Sequence, residues 1–259
     1  MAKQNILIFA GTTESRLIAR YLKDHPVNLF LSVATEYGRE SFDDIDYATI
    51  ISGRVDESGM ENILNSERID LVIDATHPFA KEVTQNIKSA CKLAKKDYIR
   101  CLREDSEPAS PNSSRLLFFP DINDAVKYLN KTDGNIFIST GSKELKQYTT
   151  INDYKNRCYA RVLSTLESVE ASASLGFLGE HLYAMQGPFS KELNVAILHS
   201  TDAKFFVTKE SGTSGGFEEK VEAAKEAGST LIVISRPDET GIKLNEMYKY
   251  LDNFLEKKY

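Results

Sequence analysis

Short runs of β-branched and aliphatic residues alternate with helix-like segments along almost the whole chain, and this alternation restricts the fold more than any other feature. A strand covered on both faces reads as an apolar run, and its parallel neighbour can be reached only through a crossover, which the intervening helix supplies. The pattern therefore predicts an α/β protein built on parallel sheets. Strands are expected over 5–10, 28–35, 49–52, 71–74 and 98–102, with helices over 13–24, 60–66 and 80–94. In the last of these, Val83, Ile87, Ala90, Cys91 and Ala94 recur at three- and four-residue spacing.

Residues 104–114 hold two prolines and several serines without periodicity, and read as a loop. A helix over 123–131 and a turn at Asp133-Gly134 precede a second alternating series. Its strands are expected over 136–139, 159–162, 181–185, 205–207 and 230–234, and its helices over 144–148, 169–175, 190–199, 217–227 and 243–256. The fold expected is two Rossmann-like parallel-sheet domains, 1–130 and 131–259, with no evident sequence repeat between them. A ligand is expected in an interdomain cleft facing the carboxyl ends of the strands.

Composition narrows the function classes. With 259 residues, 41% hydrophobic and 27% charged, the chain can bury a large core, which argues against disorder. A net charge of -6 disfavours sequence-independent nucleic-acid binding, which needs a basic face, so an anionic ligand would require a local basic patch. The longest apolar runs fall far short of the roughly 18 residues of a membrane helix. The Met-Ala-Lys-Gln-Asn start lacks the features of a signal peptide, so a cytoplasmic location is expected. Cys91, Cys101 and Cys158 have no CxxC spacing, and His25, His77, His181 and His199 are scattered, so neither a disulfide framework nor a protein metal site is expected.

The strongest chemical candidates follow strand ends. Gly11-Thr12-Thr13-Glu14 joins the first strand to a helix, where a glycine admits a phosphate to the backbone and the helix N-terminus offers free N–H groups. The full G-x-G-x-x-G fingerprint is absent, and Thr12 or Thr13 would serve equally as a plain helix cap. Glu36 stands where a Rossmann-type sheet meets the adenosine ribose; it could accept hydrogen bonds from both hydroxyls and repel a 2′-phosphate, or be a solvated loop acid. Thr76-His77-Pro78-Phe79 ends the fourth strand, with Pro78 fixing the backbone so that His77 and Phe79 could be held against a cofactor ring; a lone histidine is otherwise a packing residue.

In the second half, Gly187-Pro188-Phe189 and Lys209 with Ser211 and Gly212 also lie between strand and helix, as does Lys143. Such glycine-containing loops supply anion-binding amides or serve as flexible connections, and Lys209 is either a functional cation or the partner of a carboxylate such as Glu210 or Glu192.

Together these segments resemble the precorrin-6A reductase family of corrin (vitamin B12) biosynthesis. The resemblance is carried over nearly the whole chain by Gly11-Thr12-Thr13-Glu14-Ser15-Arg16, Asp74-Ala75-Thr76-His77-Pro78-Phe79-Ala80, Gly187-Pro188-Phe189 with Glu192, Val207-Thr208-Lys209 with Ser211-Gly212, Lys220 with Ala223-Ala224, and Ser235-Arg236-Pro237. It implies an oxidoreductase with a nicotinamide nucleotide on the first half and a tetrapyrrole in the cleft, delivering a hydride to a macrocycle double bond and a proton to the adjacent carbon. Where aerobic-branch members carry an arginine after the second strand, this chain has Glu36, so NADH is expected over NADPH and cobalt-precorrin-6A over precorrin-6A as substrate, with the cobalt belonging to the substrate. Lys143, Arg161, Lys191, Lys209 and Arg236 could meet the substrate's carboxylates. By position and resemblance, Lys209 is expected to be the proton donor or charge stabiliser. Two other readings stand beside this one: an NAD(P)-linked reductase of another anionic substrate, and a non-enzymatic nucleotide-sensing protein.

Overall fold

The computed structural model describes residues 3–103, 115–211 and 216–256. The chain divides into two compact units, 1–104 with 238–259, and 105–237. This corrects the division expected at residue 130: the chain leaves the first unit earlier, and its last helix returns to it.

The first unit's sheet has the order β3-β2-β1-β4-β5 and is parallel throughout. Its strands are β1 (Gln4–Phe9), β2 (Val27–Val33), β3 (Ala48–Ser52), β4 (Leu71–Asp74) and β5 (Asp97–Arg100). The helices are α1 (Thr13–Tyr21), α2 (Glu36–Glu40), α3 (Glu57–Ser66) and α4 (Lys81–Ala94). Period-two alternation sorts β1 between two cores. Ile6 and Ile8 pack with Ile18 and Leu22 from α1 and its extension, whereas Leu7 and Phe9 pack with Met60, Leu64, Ile87 and Cys91 from α3 and α4. The helix α11 (Leu244–Glu256) completes the first of these cores with Leu244, Met247, Leu251 and Leu255.

The second unit forms a parallel sheet in the order β6-β11-β10-β7-β8-β9. Its strands are β6 (Leu116–Phe119), β7 (Asn135–Ile138), β8 (Cys158–Val162), β9 (Leu182–Ala184), β10 (Ala203–Lys209) and β11 (Thr230–Ile234). Between them run α5 (Ile122–Leu129), α6 (Leu145–Tyr148), α7 (Tyr154–Arg157), α8 (Leu166–Ser174), α9 (Lys191–Ser200) and α10 (Phe217–Ala227). Phe137, Phe206, Leu231 and Val233 face α9 and α10, where Ile197, Leu198, Ala223 and Ala224 cover them. Gly228 ends α10 in the left-handed region at φ 73°, a conformation that side-chain-bearing residues rarely adopt.

Among the described residues, β6, α2, the short α7 and a 3-10 turn at Gly179–His181 lie outside the sequence expectations. The run Leu116-Leu117-Phe118-Phe119 is an edge strand paired with β11, a partner more than a hundred residues away. Among the described residues no helix is long and apolar enough to cross a membrane.

Candidate active site

In a parallel sheet every strand ends at the same edge, so the loops after β1, β2 and β4 are brought together in the first unit. The order reverses at β1, with β2 on one side and β4 on the other, which makes the space beyond β1 and β4 the switch point where such sheets bind ligands. Gly11 lies there, exposed, and a side chain on it would stand 3.5 Å from the His77 backbone nitrogen and the Thr76 Cα. Thr12 precedes α1 in extended conformation without capping the helix through its side chain. Its hydroxyl instead donates to the Ala75 carbonyl at 3.1 Å, tying the β1 loop to the β4 loop. Thr13 is exposed, while Glu14 is buried in the first turn. Glu36 opens α2 directly after β2, and Thr35 caps that helix by accepting from the Gly38 N–H at 3.0 Å.

The β4 loop is held by a buried polar network. Asp74 is fully buried, and its Oδ1 accepts from the Thr76 backbone N–H at 3.1 Å and the Thr76 hydroxyl at 2.7 Å. Its Oδ2 accepts from Tyr98 at 3.1 Å and pairs with Arg100 Nη1 at 2.7 Å. Arg100, only 2% exposed, also donates through Nε to Glu239 at 2.8 Å and through Nη2 to the Thr76 carbonyl at 3.3 Å. Burial works against the Arg100 charge, but the Asp74 and Glu239 carboxylates overcome it and push its pKa up. Burial, reinforced by Asp74, pushes the Tyr98 phenol up as well, so it remains a donor. Beyond this anchor Pro78 is buried, and the half-buried rings of His77 and Phe79 stack 5.8 Å apart. The Phe79 N–H donates to His77 Nδ1 at 3.3 Å.

In the second unit the order reverses between β7 and β10. Lys209, the last residue of β10, pairs there with Glu144, which follows β7, at 2.5 Å. Neither Glu210 nor Glu192 takes that place; Glu210 accepts from the Arg236 backbone N–H at 3.0 Å, and its carbonyl accepts from Arg236 Nε at 3.0 Å. Lys143 is exposed in the turn after β7, and Ser211 is half-buried beyond β10. Gly212 lies outside the described residues. Gly187-Pro188-Phe189 follows β9, with the Gly187–Pro188 peptide bond cis. The sequence candidates thus fall into two sets, one at the carboxyl edge of each sheet. Sequence reasoning missed Glu144, Arg100, Glu239 and Thr84, whose hydroxyl accepts from Arg100 Nη1 at 3.1 Å, and gave Asp74 no role of its own. Asp74 alone carried a signal, as a carboxylate closing an otherwise apolar buried strand.

Two doubly wound parallel sheets, each with its candidate residues at the carboxyl edge beside the switch point, define a protein of the Rossmann-like α/β class. Residues 5–256 match the family described as Precorrin-6x reductase CbiJ/CobK. The cobalt-precorrin-6A reductase of Salmonella typhimurium is 34% identical over 238 residues, covering 92% of this chain and 89% of that protein. The cobalt-precorrin-6A reductase of Methanothermobacter thermautotrophicus is 32% identical over 242 residues, covering 91% and 78%. The solved structure of CobK precorrin-6A reductase superposes with a TM-score of 0.72 over 97% of both chains at 22% identity, a likeness of fold. The chain belongs to the CbiJ/CobK precorrin-6x reductase family.

Proposed function

We propose that this chain is an oxidoreductase of cobalamin biosynthesis that reduces cobalt-precorrin-6A with NADH. Family membership supports the reaction, and the cobalt-precorrin names of both relatives support the substrate. The observation that carries the cofactor reading is the union of Gly11–Thr13 and Thr76–Phe79 at the first unit's switch point, where an N-terminus without a side-chain cap faces a loop anchored by buried charge.

The residues present fit a dinucleotide. The amides at Thr12 and Thr13 and the positive end of α1 hold the pyrophosphate, which Gly11 admits to the backbone. Glu14, buried in that first turn, lies beside these amides as a further residue of the cofactor site. Glu36 receives the ribose hydroxyls and disfavours a 2′-phosphate, while Pro78 fixes His77 and Phe79 beside the nicotinamide. When bound, the reduced nicotinamide supplies the hydride that enters one carbon of a macrocycle double bond. Lys209, held by Glu144, delivers the proton to the adjacent carbon or stabilises the charge that develops there. Lys143, Gly187, Pro188, Phe189, Ser211, Gly212 and Arg236 hold the tetrapyrrole. The buried thiols of Cys91, Cys101 and Cys158 support a reducing, cytoplasmic setting.

The test is anaerobic mixing of the protein with NADH and cobalt-precorrin-6A while nicotinamide absorbance is followed. Loss of absorbance only when all three are present is expected. No loss with either nicotinamide nucleotide would overturn the reading.

A further inference from the structure

Of the five basic residues near the strand ends of the second unit, three are already engaged by neighbouring acidic residues. Lys191 pairs with Glu226 at 3.0 Å, Lys209 with Glu144, and Arg236 is hydrogen-bonded to Glu210. Lys143 is exposed, where water hydrates its charge. Arg161 differs from all four. It lies near the carboxyl end of β8 at 4% exposure, yet among the described residues no carboxylate forms an ion pair with it.

Its surroundings are built. The guanidinium carbon sits 3.8 Å from the centre of the Phe189 ring and 5.3 Å from that of Phe137. Nη1 donates to Asn194 Oδ1 at 2.9 Å. Asn194 is itself fully buried, and its Nδ2 donates to the Ser190 carbonyl at 2.8 Å, so its oxygen can only face the arginine. Asn194 stands in the first turns of α9, whose N-terminus favours negative charge. With Nη1 committed to Asn194, Nε and Nη2 have no partner among the described residues. Two neighbouring N–H groups of the fork are therefore left unused, held in place by the Phe189 ring.

A buried cation is costly unless an anion compensates it. Pure packing would be better served by an apolar side chain of the same length, and a hydrogen bond to one amide does not neutralise a charge. We propose that Arg161 is the anchor for one carboxylate of the substrate, received on its Nε–Nη2 edge as a bidentate pair, with Phe189 as the wall of that subsite. This rests on the function proposed above and makes Arg161 a specificity-determining residue on the second unit, apart from the Lys209–Glu144 pair. It also gives the Gly187-Pro188-Phe189 segment a physical role: to hold an aromatic face under the guanidinium.

Steady-state kinetics of the full chain with NADH and cobalt-precorrin-6A test it. Arg161→Met keeps the length and apolar contact of the side chain. It is expected to raise KM for the tetrapyrrole roughly ten- to hundredfold while kcat changes by less than about threefold and KM for NADH stays put. Arg161→Lys keeps the charge without the fork and is expected to raise that KM by roughly threefold or more. An unchanged tetrapyrrole KM in either folded variant would overturn the proposal. A second arm needs no substrate: acetate, compared with chloride at equal ionic strength, should raise Tm of the wild-type protein and leave the Arg161→Met protein unmoved. Equal shifts in both proteins would also overturn it. If the wild-type protein fails to oxidise NADH with cobalt-precorrin-6A, the functional reading falls, and the acetate arm alone decides for or against the anion site.

Discussion

Lys209 shows what a single side chain contributes and how it is held. A lysine at the end of a strand has a long, mobile stem, and the 2.5 Å contact with Glu144 removes most of that freedom. If Lys209 is the proton donor proposed above, replacing it with alanine lowers kcat by about 10²- to 10⁴-fold with NADH binding retained; stopped-flow hydride transfer and NADH titration separate the two. Wild-type turnover in that variant would remove Lys209 from the chemistry. At the other sheet, if Glu36 accepts the ribose hydroxyls as proposed, Glu36→Arg is expected to move the kcat/KM ratio from NADH towards NADPH by roughly tenfold or more. Lys209 could be singled out from sequence because it ends an apolar run before a glycine-rich stretch. Its partner could not, because Glu144 is 65 residues upstream and becomes a neighbour only when β7 and β10 lie side by side. Local charge counting pointed to Glu210, whose carboxylate is already taken by the Arg236 backbone.

Periodicity found the elements that bury a stripe or a face and missed those made by distant pairing. The alternation of Ile6, Leu7, Ile8 and Phe9 between two cores is visible as an unbroken apolar run, whereas β6 is four residues with one face open, meaningful only against β11. The α2 turn escaped notice because five residues are too few to show a helical period. The network under β4 was hidden for the same reason as Glu144: Asp74, Arg100 and Glu239 are far apart in the chain. Because Arg100 is buried, Arg100→Met leaves Asp74 without its counter-charge, and equilibrium denaturation should show a loss of about 3–5 kcal/mol. NADH affinity should fall with it, since Thr76 loses two of its tethers. The link between α1 and the segment after α2 is different in kind. Hydrogen bonds from Arg20 and Arg16 hold the exposed Asp44 carboxyl at about 2, below its usual 3.8. A carboxylate depressed on folding stabilises above its unfolded pKa, and that contribution disappears as pH falls through the folded one. The Tm difference between wild type and Asp44→Asn should therefore be constant at neutral pH and shrink to nothing as acid is added from about pH 4 to about pH 2.

The whole molecule is two sheets on one chain, but the units are not consecutive halves. The first unit is left after its fifth strand and re-entered by α11, whose Leu244, Met247, Leu251 and Leu255 sit in the same core as Ile6, Ile8 and Leu31. The bridge from Cys101 to Ile242 and the Arg100–Glu239 ion pair fasten that returning segment beside β5. A boundary at residue 130 looked natural because the alternating pattern restarts there, yet α5 and β6 already belong to the second unit, and nothing local in α11 reveals which core its stripe fills. The consequence is an asymmetry between fragments. Four large apolar side chains, at about 1.5–3 kcal/mol each when fully buried, contribute as much as the entire stability of an ordinary domain. A chain ending after Pro237 is thus expected to lose the first unit's cooperative unfolding transition and its NADH binding, while the second unit, whose six strands all lie within 116–234, keeps its own transition. Adding the 238–259 peptide to the truncated chain should restore NADH binding, because the missing piece is a helix and not a strand inside the sheet. Circular dichroism melts and NADH fluorescence titration of the truncated chain, with and without that peptide, read both parts. Full NADH affinity in the truncated chain alone would show that α11 is dispensable to the fold that carries the cofactor site.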